Sequence, residues 1–240
     1  MPGSALLLDG VCVDAPRARL LHGLTLTLAP GERVALLGAS GSGKSVTAGA
    51  VLGTLPPDLR VSGRVEVDRS ALAWVPQSGA AVLHPLRRVG SQLRRPLRAR
   101  GDSPAAACAA AARLVERLGL DPEPTLRAFP HELSGGQRQR VGIALALALP
   151  ARVVVADEPT SALDGVAAAR VREALDGLDA ALLLITHDLA LAAALCDRLL
   201  VLDDGRLVDD VDWRRWHDTP RAPAATALLE ATHRLAGGAR

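Results

Sequence analysis

A chain of 240 residues that is 49% hydrophobic and 22% charged carries enough apolar surface for a sizeable core, which excludes a disordered or low-complexity protein. Aromatics make up only 2%, with no Tyr and one Phe, so that core must be packed with Ala, Leu and Val. The formal net charge of +2 gives no bulk electrostatic pull on nucleic acid.

In chain order, Leu6–Val13 and Leu24–Leu28 read as strands, and the turn Pro30-Gly31-Glu32 leads into the apolar strand Arg33–Leu37. A glycine-rich loop, Gly38 to Ser45, follows, then a helical Ala/Val/Leu segment to Leu55 that Pro56-Pro57 ends. Val61–Val67 and Ala71–Val75 read as further strands. From about Ser78 to Leu149 the pattern turns helical. An Arg-rich segment (Arg87–Arg100) precedes an Ala-rich helix capped by Ser103-Pro104 and running to Leu118. A Pro-punctuated loop, Asp121–Pro130, leads to a helix starting near Ser134. Strands then resume at Val153–Ala156, Ala181–Ile185 and Leu199–Leu202, separated by helices over Gly165–Gly177 and Leu189–Ala194. This alternation predicts a parallel sheet with helices on its faces.

No run reaches the roughly 18–20 apolar residues of a membrane span, since Val141 to Leu149 is stopped by Pro150 and Arg152. The N-terminus lacks a basic region and Asp9 interrupts the apolar run behind it, so no signal peptide is expected and a membrane role requires a partner. Cys12, Cys108 and Cys196 lie too far apart in sequence for a CxxC pair, which argues against a disulfide framework and fits a reducing compartment. His84, His131 and His217 have no metal-ligand spacing.

Gly38-Ala39-Ser40-Gly41-Ser42-Gly43-Lys44-Ser45 fits G-x-x-x-x-G-K-[ST] between a strand and a helix. Small residues let backbone N–H groups converge on phosphate oxygens, and the helix N-terminus adds positive potential. In such a loop Lys44 reaches the β/γ-phosphates and the Ser45 hydroxyl ligates Mg²⁺. Lys44 is the only lysine in the chain, so a chance Gly-Lys-Ser match is improbable. The strand Val153–Ala156 ends in Asp157-Glu158. Asp157 is placed to hold Mg²⁺ at the carboxyl edge of the sheet, and Glu158 to polarise a water for attack on a γ-phosphate.

Leu133-Ser134-Gly135-Gly136-Gln137 opens a helix with Ser134 at the cap. Together with the loop and the acidic pair, in that order, it resembles the signature of the ATP-binding-cassette (ABC) ATPases. Gln77 matches that family's Q-loop glutamine, Ser161-Ala162-Leu163-Asp164 its D-loop and His187 its switch histidine. The resemblance implies a P-loop α/β fold, with a mostly parallel sheet, an antiparallel β edge and an inserted helical subdomain. It implies one cassette over 1–240, with 1–77 and 150–205 as the catalytic core, 78–149 as the helical signature subdomain and 206–240 as a C-terminal segment. It further implies head-to-tail pairing, each ATP lying between one chain's phosphate loop and the other's signature helix. Ser134, Gly135, Gly136 and Gln137 would then face the ATP held by the partner, with Asp164 reaching across the interface. His187 would hold the attacking water in line, and Gln77 would contact Mg²⁺ or water and sense a transmembrane partner.

Within the family, GERVALLGASGSGKSVT (Gly31–Thr47), His84-Pro85-Leu86 with Val89–Leu93, FPHELSGGQRQRVGIALALAL (Phe129–Leu149) and the tail Thr219–Thr232 resemble the peptide/nickel import branch. That branch implies a second ATPase subunit, identical or paralogous, two permeases and an extracytoplasmic solute-binding protein, with this chain at the cytoplasmic face of the membrane. Three departures stand out. His84 replaces the branch's usual Asn, no C-terminal cysteine cluster is present, and the region Val13–Arg17 has no aromatic to stack on adenine, leaving Arg17 or Arg19 as stacking candidates. The arginines at 87, 88, 94, 95, 98 and 100 lack interleaved aromatics and read as a solvated helical face or a docking surface, not a nucleic-acid site. Trp213 and Trp216 read as a packed anchor. The rival readings are a non-transport cassette acting on nucleic acid or ribosomes, and a partner that binds ATP without turnover.

Overall fold

The computed structural model describes residues 4–215 together with Pro223 and Thr226. Trp216, His217 and the rest of the Thr219–Thr232 closing segment lie outside the described residues. The chain divides into two compact units, one built from the chain up to Arg69 and from Ala181 onward, the other from Ser70 to Ala180.

The first unit begins with β1 (Leu6–Ala15), β2 (Ala18–Leu28), β3 (Arg33–Leu37), α1 (Lys44–Leu52) and β4 (Arg60–Val67). The second contains β5 (Leu72–Val75), α2 (Val89–Ala99), α3 (Pro104–Arg117), α4 (Pro122–Arg127), α5 (Gly135–Ala148), β6 (Val153–Asp157) and α6 (Gly165–Asp176). The chain then returns to the first unit through β7 (Ala181–Ile185), α7 (Leu189–Leu195), β8 (Arg198–Asp203) and β9 (Arg206–Asp212).

In the first unit, β2, β1 and β4 form an antiparallel sheet in that order. Alternation decides its buried face: Leu6, Leu8, Val11 and Val13 of β1 and Leu24, Leu26 and Leu28 of β2 are buried. The face switches register between Leu8 and Val11, where an irregularity interrupts the pairing. β3 behaves differently. Val34, Ala35, Leu36 and Leu37 are all buried, because β7 and β8 flank β3 in parallel and both of its faces are covered. β9 closes the edge antiparallel to β8. Its sequence, RLVDDVD, carries too many charges to read as a strand, and it is only half-buried. Arg198 fixes that edge by donating to both carboxylate oxygens of Asp210 at 2.7 Å and to Glu32 at 3.0 Å.

In the second unit β5 and β6 pair in parallel, Trp74 opposite Val155. The Arg-rich segment becomes α2, burying Val89, Leu93 and Leu97 and exposing Arg95, Arg98 and Arg100, which is the solvated face its pattern predicts. Ser103 caps α3, accepting from the Ala106 N–H at 3.2 Å. Two boundaries differ from expectation. The loop Asp121–Pro130 contains α4, because Asp121 accepts from the Glu123 N–H at 3.1 Å and Pro122 pre-sets the first turn. In the first unit, α1 stops at Gly53, in the left-handed conformation at φ 68°, before it reaches Leu55. The α/β class, the mostly parallel strands, the antiparallel edge and the helical insertion are as expected.

Candidate functional site

In the first unit the loop after β3 is shaped by its own small residues. Gly41 (φ 82°) and Gly43 (φ 105°) hold left-handed conformations that side chains rarely adopt, and in loops of this type the backbone N–H groups turn toward a bound anion. A Cβ at Gly38 would overlap the Leu202 carbonyl oxygen and stand 2.5 Å from Ser42 Oγ. Lys44 folds back over the loop, its Nζ donating to the carbonyls of Gly38 and Ala39 at 2.8 Å each. The Gly205 N–H, in the turn between β8 and β9, braces the loop from outside by donating to the Ser42 carbonyl at 2.9 Å. Ser42 Oγ is buried without a hydrogen-bond partner among the described residues, a polar group left over inside an anion cradle. Ala39, Ser40 and Ser45 are exposed.

The same unit brings His187 to this edge. Leu36 pairs with Ile185 in the parallel register, so His187, two residues on, stands level with Gly38. Its neighbours fix its backbone: Thr186 is fully buried, and Asp188 caps α7 by accepting from the Ala190 and Leu191 N–H groups at 2.8 and 3.1 Å. His187 itself is exposed.

The second unit carries the remaining predicted residues, with Gln77, Asp157 and Glu158 at the ends of β5 and β6. Val75 pairs with Ala156, which sets Gln77 level with Glu158, one residue beyond Asp157. Glu158 has φ 46°, a left-handed backbone rare outside glycine, and its carbonyl accepts from the Ser161 N–H and hydroxyl at 3.3 and 3.0 Å. Asp164 caps α6, accepting from the Ala167 N–H at 2.8 Å. Ser134 and Gln137 form a reciprocal cap on α5: the Gln137 N–H donates to Ser134 Oγ at 3.2 Å and the Ser134 N–H to Gln137 Oε1 at 2.8 Å. Gln137 thus orients the helix start, while the Ser134 hydroxyl keeps its proton to donate. Gly135 is exposed with open space around it, and a Cβ at Gly136 would touch Leu163 at 3.5 Å, which places the signature beside the D-loop segment of the same chain.

A hydroxyl at Ser45, an amide at Gln77 and a carboxylate at Asp157 are hard oxygen donors of the type Mg²⁺ takes, so the residues fit that cation. Among the described residues no cluster of His, Cys, Asp and Glu forms a separate metal site.

The ABC transporter family model matches residues 21–161, a span that includes the phosphate loop, the signature and the acidic pair. The chain belongs to the ABC transporter family. It is 35% identical to the nickel import ATP-binding protein NikD of Pseudomonas putida over 96% of each chain. It is 35% identical to the oligopeptide transport ATP-binding protein OppD of Mycobacterium tuberculosis, matched over 92% of this chain and 40% of that relative's length. Against OppD of Salmonella typhimurium the figures are 34%, 90% and 71%. The chain therefore spans less than half the length of its mycobacterial relatives. Among solved structures, an ATP-binding subunit of an ABC transporter superposes with TM-score 0.77 at 26% identity, covering 95% of this chain and 99% of that one. A dimeric ATP-binding cassette in a post-hydrolysis state, bound to ADP and Pi, gives TM-score 0.75 at 26% identity over 86% and 98% of the two chains. These relatives bear out the peptide/nickel resemblance.

Two details of this ABC cassette escape sequence reading. His84, standing where the branch favours Asn, accepts from the Leu86 N–H through Nδ1 at 3.2 Å, the bond an Asn side-chain oxygen makes in an Asx-turn. Of the two arginines offered for adenine, Arg19 is held in a bidentate pair with Asp14 at 2.7 and 3.2 Å, which also lowers the Asp14 carboxyl below its ordinary range.

Proposed function

We propose that this chain is the ATP-hydrolysing subunit of an ABC import system that takes up a peptide, nickel or a related small solute through separate transmembrane subunits. The observation that carries the reading is the anion cradle at Gly38–Ser45, with its arched lysine and stranded buried hydroxyl, and with His187 level at the same strand edge. The loop N–H groups and Lys44 bind the β- and γ-phosphates, and Ser45, Gln77 and Asp157 hold Mg²⁺. When bound, Mg²⁺ neutralises charge on the phosphate oxygens. Glu158 accepts the proton of the attacking water, and His187 holds that water or the γ-phosphate in line. Ser134, Gly135, Gly136 and Gln137 face the nucleotide held by a second cassette, identical or paralogous, and Asp164 reaches across the interface. Val166, 77% exposed two residues past Asp164, becomes covered in that pairing.

Within this reading, residues 1–77 and 150–205 form the hydrolytic core and 78–149 the arm that meets the permease. An apolar groove of about 440 Å³ on that arm, with His84, Pro96, Leu145 and Leu149 in its walls and Arg87 and Arg95 among its lining residues, offers an apolar floor and cationic groups to an amphipathic cytoplasmic segment of a permease. Leu86, beside it, is 79% exposed. No helix among the described residues is long and apolar enough to cross a membrane, so attachment at the cytoplasmic face depends on those subunits. An extracytoplasmic binding protein delivers the solute, and no nucleic acid takes part.

Co-purification tests the assembly. The tagged chain, co-expressed with the permease subunits of the proposed import system, is expected to retain those subunits, and Leu86→Asp with Leu149→Asp to release them. Retention of RNA or DNA in place of membrane subunits contradicts the reading.

A further inference from the structure

The segment around Gln77 is fastened to α5 at three points within the second unit. Gln139, on α5, is buried at 3% exposure, and its Nε2 donates at 2.8 Å to the carbonyl of Pro76, immediately before Gln77. A carbonyl can only accept, so the amide must turn its nitrogen to Pro76. That leaves Gln139 Oε1 buried with no hydrogen-bond partner among the described residues. Two residues past Gln77, a Cβ at Gly79 would overlap the Arg138 carbonyl and stand 2.6 Å from Gln139 Cα. A Cβ at Gly142, one turn further along α5, would stand 2.9 Å from Gly79 Cα. Backbone therefore lies on backbone at Gly79, and the Gln139 amide pins the peptide on the other side of Gln77.

A methionine would fill the place of Gln139 without stranding an oxygen in the interior. What the glutamine adds is the donor to Pro76. α5 is a continuous helix from Gly135 to Ala148 whose first turn is the signature, so a displacement of the strand end at Pro76 reaches Ser134 through a stiff rod. We propose that Gln139 is a positioning residue that carries displacement of Gln77, by the permease or by the γ-phosphate, to Ser134 and Gly135. The proposal rests on the ATPase reading above and adds to it a route by which one predicted contact moves another.

The test is a double-mutant cycle on the assembled transporter, with ATPase rate measured against ATP concentration for wild type, Gln139→Met, Gln77→Ala and the double variant. Gln139→Met is expected to lower kcat about three- to tenfold while leaving KM for ATP within about twofold. Added to Gln77→Ala, it is expected to cost less than about twofold more, because the route is already cut. An unchanged kcat, or a loss that multiplies in full onto Gln77→Ala, overturns the proposal. Gln139→Leu, which likewise removes the donor, takes the place of Gln139→Met if the latter does not fold. If neither accumulates as folded protein, the bond is structural and the proposal is overturned. A wild-type complex without ATPase activity refutes the ATPase reading itself, whereas an active wild type with indifferent variants refutes only the role of Gln139.

Discussion

Glu158 occupies a left-handed backbone conformation that costs a non-glycine residue about 1 kcal/mol or more, directly after the carboxylate expected to hold Mg²⁺. Strain of this type persists where function requires the side chain, so Glu158→Gly is expected to raise stability by about 1 kcal/mol in urea unfolding while abolishing hydrolysis. A drop in stability would show that the carboxylate contributes more to the fold than the strain costs. The cysteines give a second residue-scale prediction. Burial pushes the Cys196 thiol up to about 12, so at neutral pH it stays protonated, whereas Cys108 lies exposed on α3. Iodoacetamide at neutral pH is expected to modify Cys108 and spare Cys196 in the native protein, with both labelled after unfolding, as read by mass spectrometry.

At the scale of elements, local signals were readable and long-range ones were not. The β3 strand, the caps at Ser103 and Ser134 and the β7 strand fall where composition places them, because each depends on residues a few positions apart. The phosphate loop and acidic pair were legible for the same reason. The apolar Leu55 extends the predicted α1 past its observed end at Gly53, because Leu55 instead folds back to lie 2.5 Å from where a Cβ on Gly49 would sit. β9 was missed because its edge position lets it carry charges. The bonds from Gln139 to Pro76 and from Arg198 to Glu32 join residues 63 and 166 positions apart, and nothing in either local sequence announces the other. Glycines separate structural from functional need at this scale. Gly79→Ala meets backbone and is expected to destabilise by about 1–3 kcal/mol in thermal or urea unfolding. Gly135→Ala meets open space at the start of α5 and is expected to change stability by less than about 0.5 kcal/mol while slowing hydrolysis. Equal loss of stability in both would remove the distinction.

For the whole molecule, the family is legible in the sequence where the assembly is not. The order of six motifs implies the family, and the family match over residues 21–161 bears that out. The expected partner contacts at Ser134, Gly135 and Asp164 lie on exposed residues that look like ordinary surface in sequence. In the proposed assembly the exposed Ser134, Gly135, Asp164 and Val166 face a second cassette, and the groove lined by His84, Leu145 and Leu149 faces a permease. The most direct measurement is the steady-state ATPase rate of the assembled complex with Mg²⁺, wild type against Glu158→Gln. The account predicts ATP binding retained and kcat reduced about a hundredfold or more in the variant; equal rates in the two proteins would contradict it.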